Sequence, residues 1–215
     1  MGAAADRPVH HSQDRGVARK HAFLLAAREV FLEQGYEAAS VNDVVRRAGG
    51  SLATLYAQFG NKEGLFLAVT QDQHDRFVQD ITPKAVDGEN FEEMLQRTGE
   101  QWVRALLARD HLAFYRIFIG EGRKFPHLLQ RFLATGGERV RSILADELRG
   151  WGKRAGKDVG DADLLSGYFF DLVRSRLHYR ALAEPAFTVS DEEVSEHVRH
   201  AVRFFLGGLD SRAAK

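Results

Sequence analysis

The chain has 215 residues, 44% apolar and 28% charged, with 30 basic and 30 acidic side chains and no cysteine. That composition suits a globular chain large enough to bury a core. It leaves no basis for a disulfide framework, a thiolate metal site or a cysteine nucleophile, and zero net charge argues against a protein that coats nucleic acid.

Residues 1–16 are polar and include Pro8, His10, His11 and Asp14. Without an apolar core they read as a disordered tail, not as a leader. The first helix is expected from Val17 to Gln34, with Phe23, Ala27, Val30 and Phe31 at helical period and Gly35 as its stop. Ser40 suits an N-cap, and Asp43 three residues later completes a capping-box pattern ahead of Val44, Val45 and Ala48. Gly49 and Gly50 break that helix, and Ser51 caps a third, with Leu52, Leu55 and Phe59 inward and Gly60 at its end. Asn61 caps a fourth that runs past Leu65, Phe66, Val69 and Phe77. Further helices are expected near Asn90–Arg109, His111–Ile119, Pro126–Trp151, Asp161–Ala183 and Ser190–Leu206. Gly136 and Gly137 fall inside the third of these and mark a bend or a close helix contact. Nothing reads as a strand, so the fold class is all-α. A three-helix N-terminal domain spans residues 17–62 and a larger helical domain spans 63–215. The most apolar stretch, Leu112–Ile119, is short and carries Arg116, whereas a bilayer span needs ~20 apolar residues. No membrane partner is expected, and a cysteine-free chain fits the cytoplasm.

Residues 40–59 form two short helices joined by a tight turn at Ala48–Ser51. That is the outline of a helix-turn-helix, whose second helix enters the major groove of DNA. Its outward positions are Ser51, Ala53, Thr54, Ala57 and Gln58. Thr54 can bond a phosphate or a base, and Gln58 suits an adenine edge. Residues 1–62 hold eight basic and six acidic side chains, a slight basic bias. An ordinary helical hairpin would show the same spacing, and this second helix carries no Arg or Lys.

The run SVNDVVRRAGGSLATLYAQFGNKEGL, Ser40 to Leu65, resembles the signature of the TetR family of transcriptional regulators. The matching pieces are Val44, Ala48-Gly49, Thr54-Leu55-Tyr56, Phe59, Lys62-Glu63 and Leu65, preceded by Phe31 and Gly35-Tyr36. One departure stands out: Leu52 replaces the family's usual basic residue before the Thr-Leu-Tyr element. The resemblance implies a homodimer on double-stranded operator DNA, a repressor by family default, and no enzyme. It implies that Tyr56 and Lys62 hold phosphates, the latter aided by a helix N-terminus. Ser40 both caps its helix and touches phosphate. Arg46 and Arg47 reach the backbone or belong to a solvated face. Arg15, Arg19 and Lys20 form an arm or remain in a solvated tail.

Two copies of such a motif need a dimer. Leu165, Phe169, Leu172 and Leu177 on one late helix and Val194, Val198, Ala201 and Phe205 on the next form wide apolar arcs. Arcs of that width need burial on more than one side, against the chain's own core or against a symmetry mate. The resemblance also implies an inducer pocket for an unknown small molecule, with Trp102, Phe114, Phe118, Tyr168 and Arg174 as candidate lining. The residues Glu121, Arg123, Phe125 and Pro126 resemble the AefR-like subgroup of C-terminal domains. An aromatic stripe at this spacing also fits a plain core.

No phosphate-cradling loop and no H-E-x-x-H occurs. Glu193, His197 and His200 share a helix face, but solvated or interface histidines are the commoner outcome, so neither metal nor cofactor is expected. Two other classes remain: an all-α enzyme built around the aromatic cavity, and a helical module whose helix-turn-helix contacts protein.

Overall fold

A computed structural model describes residues 10–79, 81, 86–135 and 137–212. Among the described residues there are ten helices and no strand: α1 (His10–Ala38), α2 (Val41–Ala48), α3 (Leu52–Phe59), α4 (Lys62–Gln79), α5 (Phe91–Leu107), α6 (Arg109–Glu121), α7 (Pro126–Thr135), α8 (Glu138–Ala155), α9 (Ala162–Ala183) and α10 (Asp191–Arg212). Helix α1 begins seven residues before the expected Val17, so residues 10–16 belong to it. Residues 1–9 of the expected tail lie outside the described residues. The helix is interrupted at Gly35 and closes with one more turn.

The short helices stand because their ends are satisfied locally. The Ser40 hydroxyl accepts from the Asp43 N–H and the Ser51 hydroxyl from the Thr54 N–H. The expected reciprocal half of the Ser40 box is absent. The Asp43 carboxylate accepts from Arg46 and from Gln34, and the Gln34 carbonyl takes the Ser40 N–H at 3.2 Å. Thus α1, not α2 itself, completes that cap. A full capping box forms instead at Asn90 and Glu93, opening α5.

Gly50 is set by space. A Cβ there would lie 2.5 Å from the Phe23 ring, so the turn between α2 and α3 rests directly on α1. Arg19 of α1 fastens the same turn, donating to the Ala48 and Gly49 carbonyls at 3.2 and 2.7 Å. Gly137 separates α7 from α8, where one helix was expected. Its φ of 82° is left-handed, and a Cβ would lie 2.3 Å from the Trp102 ring.

Two apolar cores meet along α4 and α6. The first joins α1–α4 to α6 and α7 through Phe23, Phe31, Leu55, Phe66, Phe114 and Phe118. The second joins α5, α8, α9 and α10 through Leu95, Leu144, Phe169, Phe170 and Val198. Phe66 is the hub of the first. Its ring centre lies 4.9 Å from Phe31, 4.7 Å from Tyr36 and 5.2 Å from Phe118, so rings from α1, α4 and α6 share one contact. Burying such a ring contributes several kcal/mol by area and geometry together. Phe66→Ala is expected to lower unfolding stability by about 3–5 kcal/mol, measured by urea titration. A loss under about 1 kcal/mol would show that the ring is not the junction described.

Candidate DNA-binding face and ligand cavity

Only Leu55 and Phe59 of α3 are buried; its other six residues are exposed. The two buried side chains, four apart, fasten the helix to α1 and α4 and leave the rest projecting. On the projecting surface the Ser51 and Thr54 hydroxyls lie 2.8 Å apart. Ala53, Ala57 and Gln58 are exposed, and the Tyr56 ring stands 45% exposed. Leu52, expected to face inward, is exposed instead, because as the first residue of α3 it precedes the turn that Leu55 and Phe59 bury.

The flanking cations differ in availability. Arg47 makes a two-point bond to Glu33 at 2.9 and 2.5 Å, with Glu29 at 3.6 Å. That pairing raises its affinity for the proton and occupies the side chain. Arg46 pairs with Asp43 at 2.7 Å, yet its side chain stays 76% exposed. The Lys62 ammonium donates to the Glu37 carbonyl at 2.7 Å and lies 5.2 Å from the centre of the Tyr36 ring. Partial burial lowers its pKa below the usual lysine value. Two of its three donors remain for another acceptor. Ser40 is half-buried and engaged in its cap.

Behind this face lies a cavity of about 430 Å³, bounded by α1, α4, α5, α6, α8 and α9. Of the expected lining residues it includes Trp102, Phe114, Phe118 and Arg174. Tyr168 is not among them; it stands exposed on α9, because its neighbours Phe169 and Phe170 take the inward positions. Sequence reasoning missed most of the cavity's polar lining, including Arg28, His74, Arg76, Asp110, His111 and Arg141. Arg28 of α1 pairs with Asp110 of α6, across 82 residues of chain. No local pattern announces a pairing at that separation. Behind the wall, His178 is 1% exposed and among the described residues neither ring nitrogen has a hydrogen-bond partner. It sits edge-on to Tyr115 with ring centres 5.0 Å apart.

Residues 23–69 match the family model described as bacterial regulatory proteins of the TetR family, and residues 93–208 match the AefR-like transcriptional repressor C-terminal domain. The second match alone covers more than half the chain. The chain belongs to the TetR family of transcriptional regulators. It is 30% identical over 190 residues to the fatty acid metabolism regulator protein of Bacillus subtilis (strain 168), covering 86% of this chain and 87% of that protein. It is 48% identical over 58 residues to the transcriptional repressor ComR of Escherichia coli (strain K12), 27% of this chain and only 28% of ComR. The solved structure of the flavonoid-responsive regulator FrrA superposes with a TM-score of 0.76 at 27% identity, covering 88% of this chain and 96% of that one.

In this TetR-family chain the expected dimer arcs turn inward. Leu165, Phe169, Leu177, Val194, Val198 and Phe205 are buried in the chain's own second core, and Leu172 and Ala201 are half-buried beside it. A side chain already enclosed within one chain offers no area to a second. The apolar surface left on these helices is Leu164, Tyr168 and Tyr179 on α9 and Phe204 on α10, the last 73% exposed. The Glu193, His197 and His200 face is also used otherwise. Helix α9 is interrupted at Ser175, and a His197 ring nitrogen lies 2.9 Å from the Val173 carbonyl. Glu193 accepts from the Ser190 N–H, and among the described residues no cluster of metal-ligating groups is present.

Burial pushes His111 down to about 3, helped by His178, Arg174 and His74, and pushes His178 down to about 4, helped by Arg174. Both are neutral in the folded chain at neutral pH, while in the unfolded chain they titrate near 6.5. As pH falls below 6.5 the unfolded state takes up protons first, so stability drops progressively toward pH 4. Each histidine contributes up to about 1.4 kcal/mol per pH unit. The melting temperature is expected to fall between pH 7 and 5, before the carboxylates titrate, and His178→Gln is expected to flatten that slope. A melting temperature that stays level over this range would refute it.

Proposed function

We propose that this chain is a dimeric repressor that grips operator DNA through α3 and lets go when a small molecule enters the cavity. The observation that carries the reading is α3 itself: a capped helix held by two buried side chains, with its whole outer face presented to solvent. A helix of this kind fits the major groove. Thr54 and Gln58 then meet base edges, Ala53 and Ala57 allow close approach, and Tyr56 and Lys62 hold phosphates on either side. Arg46 reaches the backbone, whereas Arg47 stays with Glu33 as a strut between α1 and α2. Repression is supported by the subgroup's description and by the name of ComR.

Two half-sites about 34–36 Å apart require a second copy. Leu164 and Tyr168 of α9 and Phe204 of α10 supply the exposed apolar surface offered to it. The cavity supports an effector, and FrrA is named for its response to flavonoids, which fits an aromatic-walled site. Coupling follows the two helices that serve both ends. Helix α1 touches the cavity at Arg28 and the helix-turn-helix at Arg19, nine residues or roughly 13 Å apart. Helix α4 carries Lys62 at one end and His74 and Phe77 in the cavity wall at the other. A ligand that shifts either helix changes the spacing of the two α3 helices. A tenfold loss of operator affinity needs only about 1.4 kcal/mol of preference for the displaced form.

Gel shifts on the DNA upstream of the chain's own gene test the reading. Tyr56→Phe and Thr54→Ala are each expected to weaken binding about fivefold, and Lys62→Ala to flatten the salt dependence by about one unit. Unchanged affinity in all three variants would overturn the assignment. For the dimer, Phe204→Asp is expected to give folded monomers in sedimentation, while Phe169→Asp unfolds the chain. A Phe204→Asp dimer as tight as the parent would rule out that face.

A further inference from the structure

We propose that the cavity is built for an aromatic acid, with Arg141 and Arg174 holding its carboxylate and the rings of Phe77, Trp102 and Phe170 holding its aromatic part. This rests on the effector-binding reading above and names the class of molecule. Three independent features of the site point to it.

The wall is aromatic more than aliphatic. Trp102 lies 5.0 Å from Phe77 and 4.4 Å from Phe170, ring centre to ring centre, while among the described residues Leu106 is the one branched aliphatic side chain on the lining. Flat, quadrupolar walls favour a flat ring in stacked or edge contact over a flexible alkyl chain.

The charge on the lining is positive. Arg28, Arg76, Arg141 and Arg174 face two acids, Asp110 and Asp171. Arg28 is spent on Asp110, and Arg76 on Asp72 at 3.0 Å. Arg174 donates to the Tyr179 hydroxyl at 2.8 Å and has Asp171 three residues before it on α9. Among the described residues Arg141 forms no ion pair. A half-buried guanidinium without a carboxylate has donors open to an anion. Burial, with the Arg174 charge adding to it, holds His111 and His178 neutral.

The polar groups converge on the aromatic wall. Arg141 lies one turn along α8 from Gly137, at which a Cβ would meet the Trp102 ring, and the two positions share a helix face. Among the described residues the buried Trp102 indole N–H has no hydrogen-bond partner.

The test is calorimetry on the full chain with 4-hydroxycinnamate and 2-naphthoate, each against its methyl ester, and with decanoate as an anion lacking a ring. The acids are expected to bind at least tenfold more tightly than their esters and than decanoate. Arg141→Gln is expected to remove most of the preference for acid over ester while leaving the ester's affinity in place, and Arg141→Lys to retain part of it. Circular dichroism melts check that each variant folds. Esters binding as well as acids, decanoate matching them, no binding of either acid at millimolar concentration, or full acid affinity in folded Arg141→Gln would each overturn the proposal. Gel shifts on the same samples separate the two readings. Acids that bind without releasing DNA support the ligand class and sink the release mechanism. Release by esters with inert acids sinks the ligand class and leaves release standing.

Discussion

Where α4 leaves the DNA-facing end and crosses α6, the Phe66 ring is packed against Phe31, Tyr36 and Phe118, and Tyr36 in turn meets Phe125. Every other relation between the two halves depends on this junction. It fixes the angle at which α1 and α4 run from the small domain into the large one. Close-packed rings tolerate few intermediate arrangements, so a change of angle means repacking the set. That makes the junction stiff, so a displacement of α1 or α4 at one end is carried to the other.

The charged groups around the junction divide by what they already hold. Arg47 and Arg28 are committed to carboxylates within the chain and act as struts. Arg46 and Lys62 keep capacity on the DNA side, and Arg141 keeps it on the cavity side. Net charge near zero therefore hides two local surpluses of positive charge. Both sit where an anion is expected to arrive, phosphate at one end and carboxylate at the other. The exposed α3 carries no charge at all, so its proposed work is shape and hydrogen bonding, with affinity supplied by its flanks.

Much of this was legible along the chain, because the signals were local. Caps, turns and a 3.6-residue period located most of the helices, though not the start of α1 or the end of α10, and Leu55 and Phe59 against Ser51, Thr54 and Gln58 separated the inner from the outer face of α3, with Leu52 wrongly placed inward. The errors also share one cause. Gln34 capping α2, the break at Gly137, the inward turn of Phe169 and Val198, and the Arg28–Asp110 pair all depend on a partner helix that no local window contains. An apolar arc reports that a face will be buried, but not by what.

Sequence alone determined an all-helical chain of the TetR family with a projecting second helix in its helix-turn-helix, since helix periodicity, capping and turn chemistry act within a few residues. Tertiary structure alone decided which apolar residues line the core, which remain for a second copy, and which arginines converge on an aromatic cavity. Those outcomes arise from packing between helices far apart in the chain, where burial and charge pairing are settled by competition among several possible neighbours.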